Sequence, residues 1–311
     1  MSTFLITLPI FLIVLSGWLL RKFKIATEEW VHILNIFAYY VSLPALIVAS
    51  FWDINFLSRE SWNIIFLSLL TLGLFSLVVF IILHFTRINK DLKTAIFLTT
   101  TVGNTIYMGF PLVELGFGKE SIPTGALIGV IYLVVPILIS IFIIRYWHDK
   151  EHNVAKEILA FIQNPLMISV FVGIAISLFF GFLKIALIDN FLIFAVKKSI
   201  FMLGTTASPI ALFTLGAFLY GKFLKKDLGL VFFISFLKII CFPIIVFITL
   251  FYFFKPESSQ ILILLSSMPV AVTTFVIAEK FHLDKELVGN SLFISTALSF
   301  IVAPIIFYFI Q

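Results

Sequence analysis

The sequence predicts an all-α polytopic membrane protein of ten transmembrane helices, arranged as two inverted five-helix repeats. Three observations carry the prediction. Of 311 residues, 61% are hydrophobic and 12% charged, and mean hydropathy is +1.17, which excludes a soluble globular domain. Ten apolar segments of bilayer-spanning length follow one another along the chain. Two of them, the fourth and the ninth, contain helix-breaking residues and match each other across the two halves.

In chain order the spans fall at 4–20, 30–51, 62–84, 95–116 and 122–146, then at 161–181, 198–220, 229–253, 260–280 and 288–310. The first is not a cleaved leader, because no basic residue precedes Phe4 whereas Arg21, Lys22 and Lys24 follow Leu20. Ten spans put both termini on one side. Alternate loops carry 14 and 6 Lys/Arg, with Lys238 left inside a span. The richer loops should be cytoplasmic, so both termini face outward across a cell membrane. The net charge of +5 is scattered in these short loops and gives no nucleic-acid footprint.

The polar connection from Tyr146 to Lys156 divides the chain into repeats 1–155 and 156–311. Pro44 and Pro209, Phe110 and Phe275, and Glu114 and Glu279 match at an offset of 165. Pro9 and Gly17 match Pro165 and Gly173 at 156, and Pro136 matches Pro304 at 168. The nine-residue gain falls in the loop Lys184–Lys198. Each repeat has an odd number of spans, so the second enters the bilayer from the opposite side, as in many secondary transporters.

The fourth span holds TTTVGNTIYMGFPLVELG, from Thr99 to Gly116, and the ninth holds SSMPVAVTTFVIAE, from Ser266 to Glu279. Gly103, Pro111 and Pro269 should break or shape these helices where they cross. Broken backbone survives at membrane depth only against protein or a wet cavity. The N-terminal ends of half-helices offer free N–H groups and partial positive charge to an anion. Asn104, Thr105 and Tyr107, with Ser267, Thr273 and Thr274, add neutral donors; alternatively their side chains repair the broken backbone. Ser42 before Pro44, and Thr206 before Pro209, either face the same cavity or satisfy carbonyls freed by the prolines.

Lys238 lies nine residues inside the eighth span, about 14 Å deep. It is either the counter-charge of an anionic substrate or a structural lysine on the carbonyl end of a half-helix. Glu114 and Glu279, and the histidines His32, His84, His148, His152 and His282, read as solvated or interfacial groups at span ends. One cysteine, Cys241, excludes an intrachain disulfide and a cysteine-based metal cluster. The sequence shows no catalytic motif, no metal-ligand spacing and no cofactor signature. A channel or a ligand-sensing receptor on the same fold is the alternative to a transporter.

GNTIYMGFPL in the fourth span resembles the signature of the auxin efflux carrier family. NPLMISVFVGIAIS, SPIALFTLGAFL and MPVAVTTFVIAEKF in spans six, seven and nine are similar to that family's patterns. The resemblance covers nearly the whole chain, and the short central loop matches a prokaryotic-type member. It implies the fold of the bile acid–sodium symporters, with a scaffold of spans 1, 2, 6 and 7 and a moving transport domain of spans 3–5 and 8–10. It also implies small organic anions as substrates, auxin-like or dicarboxylate-like, moved by an elevator mechanism in a homodimer.

Overall fold

The computed structural model describes residues 3–148, 159, 162–183, 191–221, 227–253 and 259–310. Among the described residues the ordered elements are helical, and extended pairing is confined to one isolated bridge, between Gly103 and Val270. Seven helical stretches are long and apolar enough to cross a bilayer. Much of the Tyr146–Lys156 connection and of the Lys184–Lys198 loop lies outside the described residues, as do Lys150, Lys156, Lys184, Lys222, Lys225, Lys226, Lys255 and His152 of the orientation argument.

The first half consists of α1 (Thr3–Lys22), α2 (Glu28–Trp52), α3 (Arg59–Phe85), α4 (Lys90–Thr101), α5 (Thr105–Phe117) and α6 (Ile122–His148). The second consists of α7 (Pro165–Leu183), α8 (Phe191–Thr205), α9 (Ala207–Leu219), α10 (Leu228–Tyr252), α11 (Ser259–Ser266), α12 (Val272–Lys280) and α13 (Lys285–Ile310). The fourth apolar segment is therefore the pair α4 and α5, the seventh α8 and α9, and the ninth α11 and α12.

Local chemistry explains the starts. Thr27, Ser58 and Asn89 accept the N–H three residues on, at 3.2, 3.1 and 2.7 Å, capping α2, α3 and α4. Asn164 does the same for Met167 at 2.9 Å, with Pro165 opening α7. The seventh segment begins earlier than its hydropathy indicates, at Phe191 rather than near 198. Lys197 pairs with Asp53 and lies over the Trp52 ring at 5.9 Å, so its charge is neutralised inside the helix.

Prolines shape the interiors. α2, α5 and α10 each contain one widened π-turn, Ala38–Ser42, Thr105–Gly109 and Leu237–Cys241. Each ends two residues before a proline, Pro44, Pro111 and Pro243. A proline lacks the N–H and crowds the carbonyl four residues back, and the wider turn relieves both. Pro111 is thus not at the break of the fourth segment, as the sequence suggested. The break lies at Val102–Asn104, and Pro111 sits inside α5, past its π-turn.

Two groups of helices pack internally. α1 lies along α9, and the Pro44 half of α2 lies against α7 and α8. α3 packs on α6, α4 on α6, α10 on α13 and α12 on α13. Small residues bring α1 and α9 close: a Cβ on Gly17 would fall 2.0 Å from Phe213 O, and one on Gly216 1.8 Å from Val14 O. Gly173 plays the same part on α2, where a Cβ would meet Phe51 Cβ at 2.5 Å. Large exposed apolar side chains, among them Phe66, Leu77, Phe171, Phe247 and Ile301, form the surface that hydrocarbon would cover.

Candidate functional site: the crossover of two broken helices

The chain between α4 and α5 and the chain between α11 and α12 run extended past each other. Asn104 N–H donates to Pro269 O at 2.7 Å, and Ala271 N–H donates to Val102 O at 3.2 Å. The backbone freed by breaking two helices is thereby satisfied inside the protein. Ser295 Oγ on α13 accepts from Val270 N–H at 3.1 Å and anchors the crossing. Four helix ends meet here: α5 and α12 begin, while α4 and α11 end. The first N–H groups of α5 and α12 lack intrahelical partners and make this side of the crossover electropositive.

A cavity of about 30 Å³ lies against the crossing, bordered by Gly103, Asn104, Ile106, Tyr107, Ala271, Val272 and Thr273, with Leu133 of α6. Tyr39 of α2 and Leu166 of α7 close it from the other group of helices. That volume suits a water molecule. Asn104 is 4% exposed and its Nδ2 has no hydrogen-bond partner among the described residues; the same holds for Thr273 Oγ1. Buried polar groups are normally paired. Both residues border the same cavity.

The residues singled out from sequence divide accordingly. Asn104, Tyr107 and Thr273 border the cavity with Gly103. Thr105 Oγ1 instead donates to Gly129 O at 2.7 Å and ties α5 to α6. Ser267 Oγ donates to Leu264 O at 2.7 Å, and Thr274 Oγ1 to Ala271 O at 2.6 Å, both repairing helix ends. Ser42 and Thr206 do not reach the cavity; their hydroxyls meet each other at 2.7 Å. Thr206 Oγ1 already donates to Leu203 O at 2.6 Å, so Ser42 is the donor in that pair. Lys238 does not border the cavity either. Its Nζ lies 2.8 Å from the position a Cβ on Gly103 would take. Glu279 pairs with Lys285 at 2.8 Å on an exposed helix end.

Tyr39 was missed. It sits in the π-turn of α2, and Tyr107 and Lys238 sit in the other two. The proline two residues beyond each turn was the available signal, since such turns recur at functional sites.

Fold and composition together define a multi-pass membrane protein in which two broken helices cross. The chain belongs to the membrane transport protein family, whose profile matches residues 4–307. It is a transporter by family, not an enzyme, and the resemblance to auxin efflux carriers extends over its whole length. It is 27% identical over 306 residues to an uncharacterized transporter of Methanocaldococcus jannaschii, covering 96% of this chain and 95% of that one. A provisionally named malonate transporter of Rhizobium meliloti is 26% identical over 320 residues, covering 98% and 95%. The lysosomal cholesterol signaling protein of Mus musculus is 26% identical over 328 residues, covering 96% of this chain but 36% of that protein.

Proposed function

We propose that the protein is a secondary transporter of small organic anions, carboxylates of the dicarboxylate or auxin type. The observation that carries this reading is the unpartnered Asn104 Nδ2, buried on a cavity wall beside two helix N-termini. A carboxylate satisfies both: it accepts from the amide and from N–H groups of the α5 and α12 first turns, at the positive ends of their dipoles. The name of the Rhizobium relative supports malonate as the first ligand to try.

The mechanism in this reading is elevator-like alternating access. α1, α2 and α7–α9 form the scaffold, and α3–α6 with α10–α13 form the moving domain. Packing within each set supports the division, since α1 meets α9 and α2 meets α7 and α8, while α3 meets α6 and α10 meets α13; α1 also touches α13 across the boundary. The cavity is bordered from both groups, by Tyr39 and Leu166 on one side and the crossover on the other. The ten-pass inverted repeat, both termini outside a cell membrane, and a homodimer through the scaffold belong to the same proposal.

The test is thermal unfolding of the purified protein with malonate, other dicarboxylates and indole-3-acetate, followed by uptake into proteoliposomes. Stabilisation by a carboxylate with saturable uptake is the expected result. Stabilisation without uptake favours the sensor alternative, for which the name of the mouse relative speaks. No response to any carboxylate overturns the anion site.

A further inference from the structure

Away from the crossover, α1, α9 and α13 enclose an apolar groove of about 410 Å³, within the range of small-molecule sites, about 300–1,000 Å³. Its long walls are Phe11, Leu15 and Trp18 of α1 and Phe293, Ala297 and Phe300 of α13. Both triplets have the same spacing, four residues and then three, which puts each on one helix face. Ala297 stands between two phenylalanines and leaves the gap that a larger residue would fill. Thr296, next to it, has a hydroxyl that is buried and unpaired among the described residues. The deep part of the groove therefore offers only apolar surface to a ligand.

The two ends of the groove differ. At one end the Phe300 ring meets Phe11 edge-on at 4.8 Å and Phe4 at 5.3 Å, closing it. At the other stands Trp18, packed on Tyr220 at 5.7 Å, with Lys22 Nζ 5.2 Å from the Trp18 ring. Phe11 and Lys22 are eleven positions apart, about 16 Å along a helix. Half of a hydrocarbon core about 30 Å thick is about 15 Å. The groove is thus one leaflet deep, with a tryptophan at its mouth, where such residues sit at the membrane–water interface. The mouth is also basic. Arg21 is neutralised by Glu28 at 2.7 Å, but Lys22 is exposed and has no acidic partner among the described residues. The Trp18 indole N–H likewise has no acceptor among them.

We propose that this groove is a phospholipid site, in which one acyl chain lies between α1 and α13 and the phosphate of an anionic headgroup sits at Lys22 and the Trp18 indole N–H. The closed inner end and the one-leaflet depth fit a chain anchored at the surface; a partner helix would have to run on across the bilayer. The unpaired charge of Lys22 selects the headgroup, because a zwitterionic lipid brings a cation of its own to a mouth that is already positive. The groove shares no lining residue with the crossover cavity. The inference therefore stands apart from the transported anion and is tested without it.

The experiment is native mass spectrometry of the purified full chain, released from micelles containing equimolar dioleoyl phosphatidylglycerol and dioleoyl phosphatidylcholine. Wild type should retain one phosphatidylglycerol per chain in preference to phosphatidylcholine. Lys22→Gln should weaken that retention about fivefold, the loss of one basic residue's attraction to an anionic headgroup. Ala297→Phe fills the groove and should abolish the retained lipid. Leu15→Trp fills it from the α1 side and decides the matter if Ala297→Phe yields no folded protein. Cholesterol added at the same concentration should displace nothing. Equal retention of the two phospholipids, retention unchanged in Lys22→Gln or in the filled-groove variant, or displacement by cholesterol overturns the proposal.

Discussion

Asn104 and Pro269 are joined by a main-chain hydrogen bond of 2.7 Å, and they stand 165 residues apart. The same offset relates Pro44 to Pro209, Phe110 to Phe275 and Glu114 to Glu279. Where a two-fold axis relates two repeats, equivalent residues can meet only on the axis. The Asn104–Pro269 contact is one that the proposed two-fold repeat would place at its centre. Ser42 and Thr206, 164 apart and so one residue off that register, also meet, between α2 and the start of α9. Gly17 and Gly173, paired in sequence, each let a helix close on its neighbour, α1 on α9 and α7 on α2.

The two halves differ at this crossing, and that difference places the first prediction. One repeat has Asn104 where the other has Pro269, so the amide is a single, unsymmetric donor. Its crossing bond is main-chain and survives substitution. Because Nδ2 is buried without a partner, Asn104→Ala removes an unsatisfied group and should leave the unfolding temperature of the unliganded protein close to wild type. Binding of the carboxylate should fall by roughly tenfold or more, the effect of losing a hydrogen bond of about 1.5–3 kcal/mol to a charged group. Calorimetric titration checks the second quantity and thermal unfolding the first. Unchanged affinity in a folded variant removes Asn104 from the site.

Helix-breaking composition in otherwise apolar segments made the two crossing stretches legible in the sequence, down to Gly103 and Asn104. The partners of the hydroxyl groups were not legible. Ser267, Thr274 and Thr105 have the same chemistry as Thr273, yet three bond to carbonyls and one faces the cavity. Only the direction of each side chain in the folded helix decides that. Tyr39 was hidden for a related reason: it enters the site from a different helix group, across a tertiary contact that no local pattern encodes. Pro111 was misplaced because a π-turn lets a helix continue through a proline that would otherwise end it.

Gly103→Ala tests the packing behind the crossing. The added methyl would lie 2.8 Å from Lys238 Nζ, so the flexible end of that side chain must withdraw. Overpacking of this kind costs about 1–3 kcal/mol. In the Gly103→Ala/Lys238→Ala double variant the clash is gone, so the two stability effects should be clearly non-additive. Additive effects, measured by unfolding of all four proteins, would separate Gly103 from Lys238.

The proposed relative movement of the two helix groups predicts state-dependent crosslinking. Leu15 on α1 and Ala297 on α13 border one apolar groove between the groups, with a volume of about 410 Å³. In a protein with Cys241→Ala, cysteines at 15 and 297 should crosslink to different extents with and without the transported carboxylate. Equal yields in a protein shown to transport would count against motion along that boundary.

The Ser42–Thr206 pair gives the sharpest stability test, because its hydrogen-bond directions are fixed. Ser42 is fully buried and donates to Thr206 Oγ1, which itself donates to Leu203 O. Thr206→Val keeps the side-chain shape but leaves the Ser42 hydroxyl without its acceptor. That should cost about 1–3 kcal/mol, the penalty of an unsatisfied buried donor. Ser42→Ala leaves Thr206 with its carbonyl partner, since Oγ1 loses only an incoming bond on a half-buried atom, so its cost should be smaller. The double variant Ser42→Ala/Thr206→Val removes both polar ends and should be more stable than Thr206→Val alone. The pair does not touch the cavity, so affinity for the carboxylate should stay within about threefold of wild type, less than the tenfold that 1.4 kcal/mol represents. A double variant as unstable as the sum of the singles would show that the two hydroxyls act independently. A large loss of affinity with intact stability would return Ser42 and Thr206 to the substrate path.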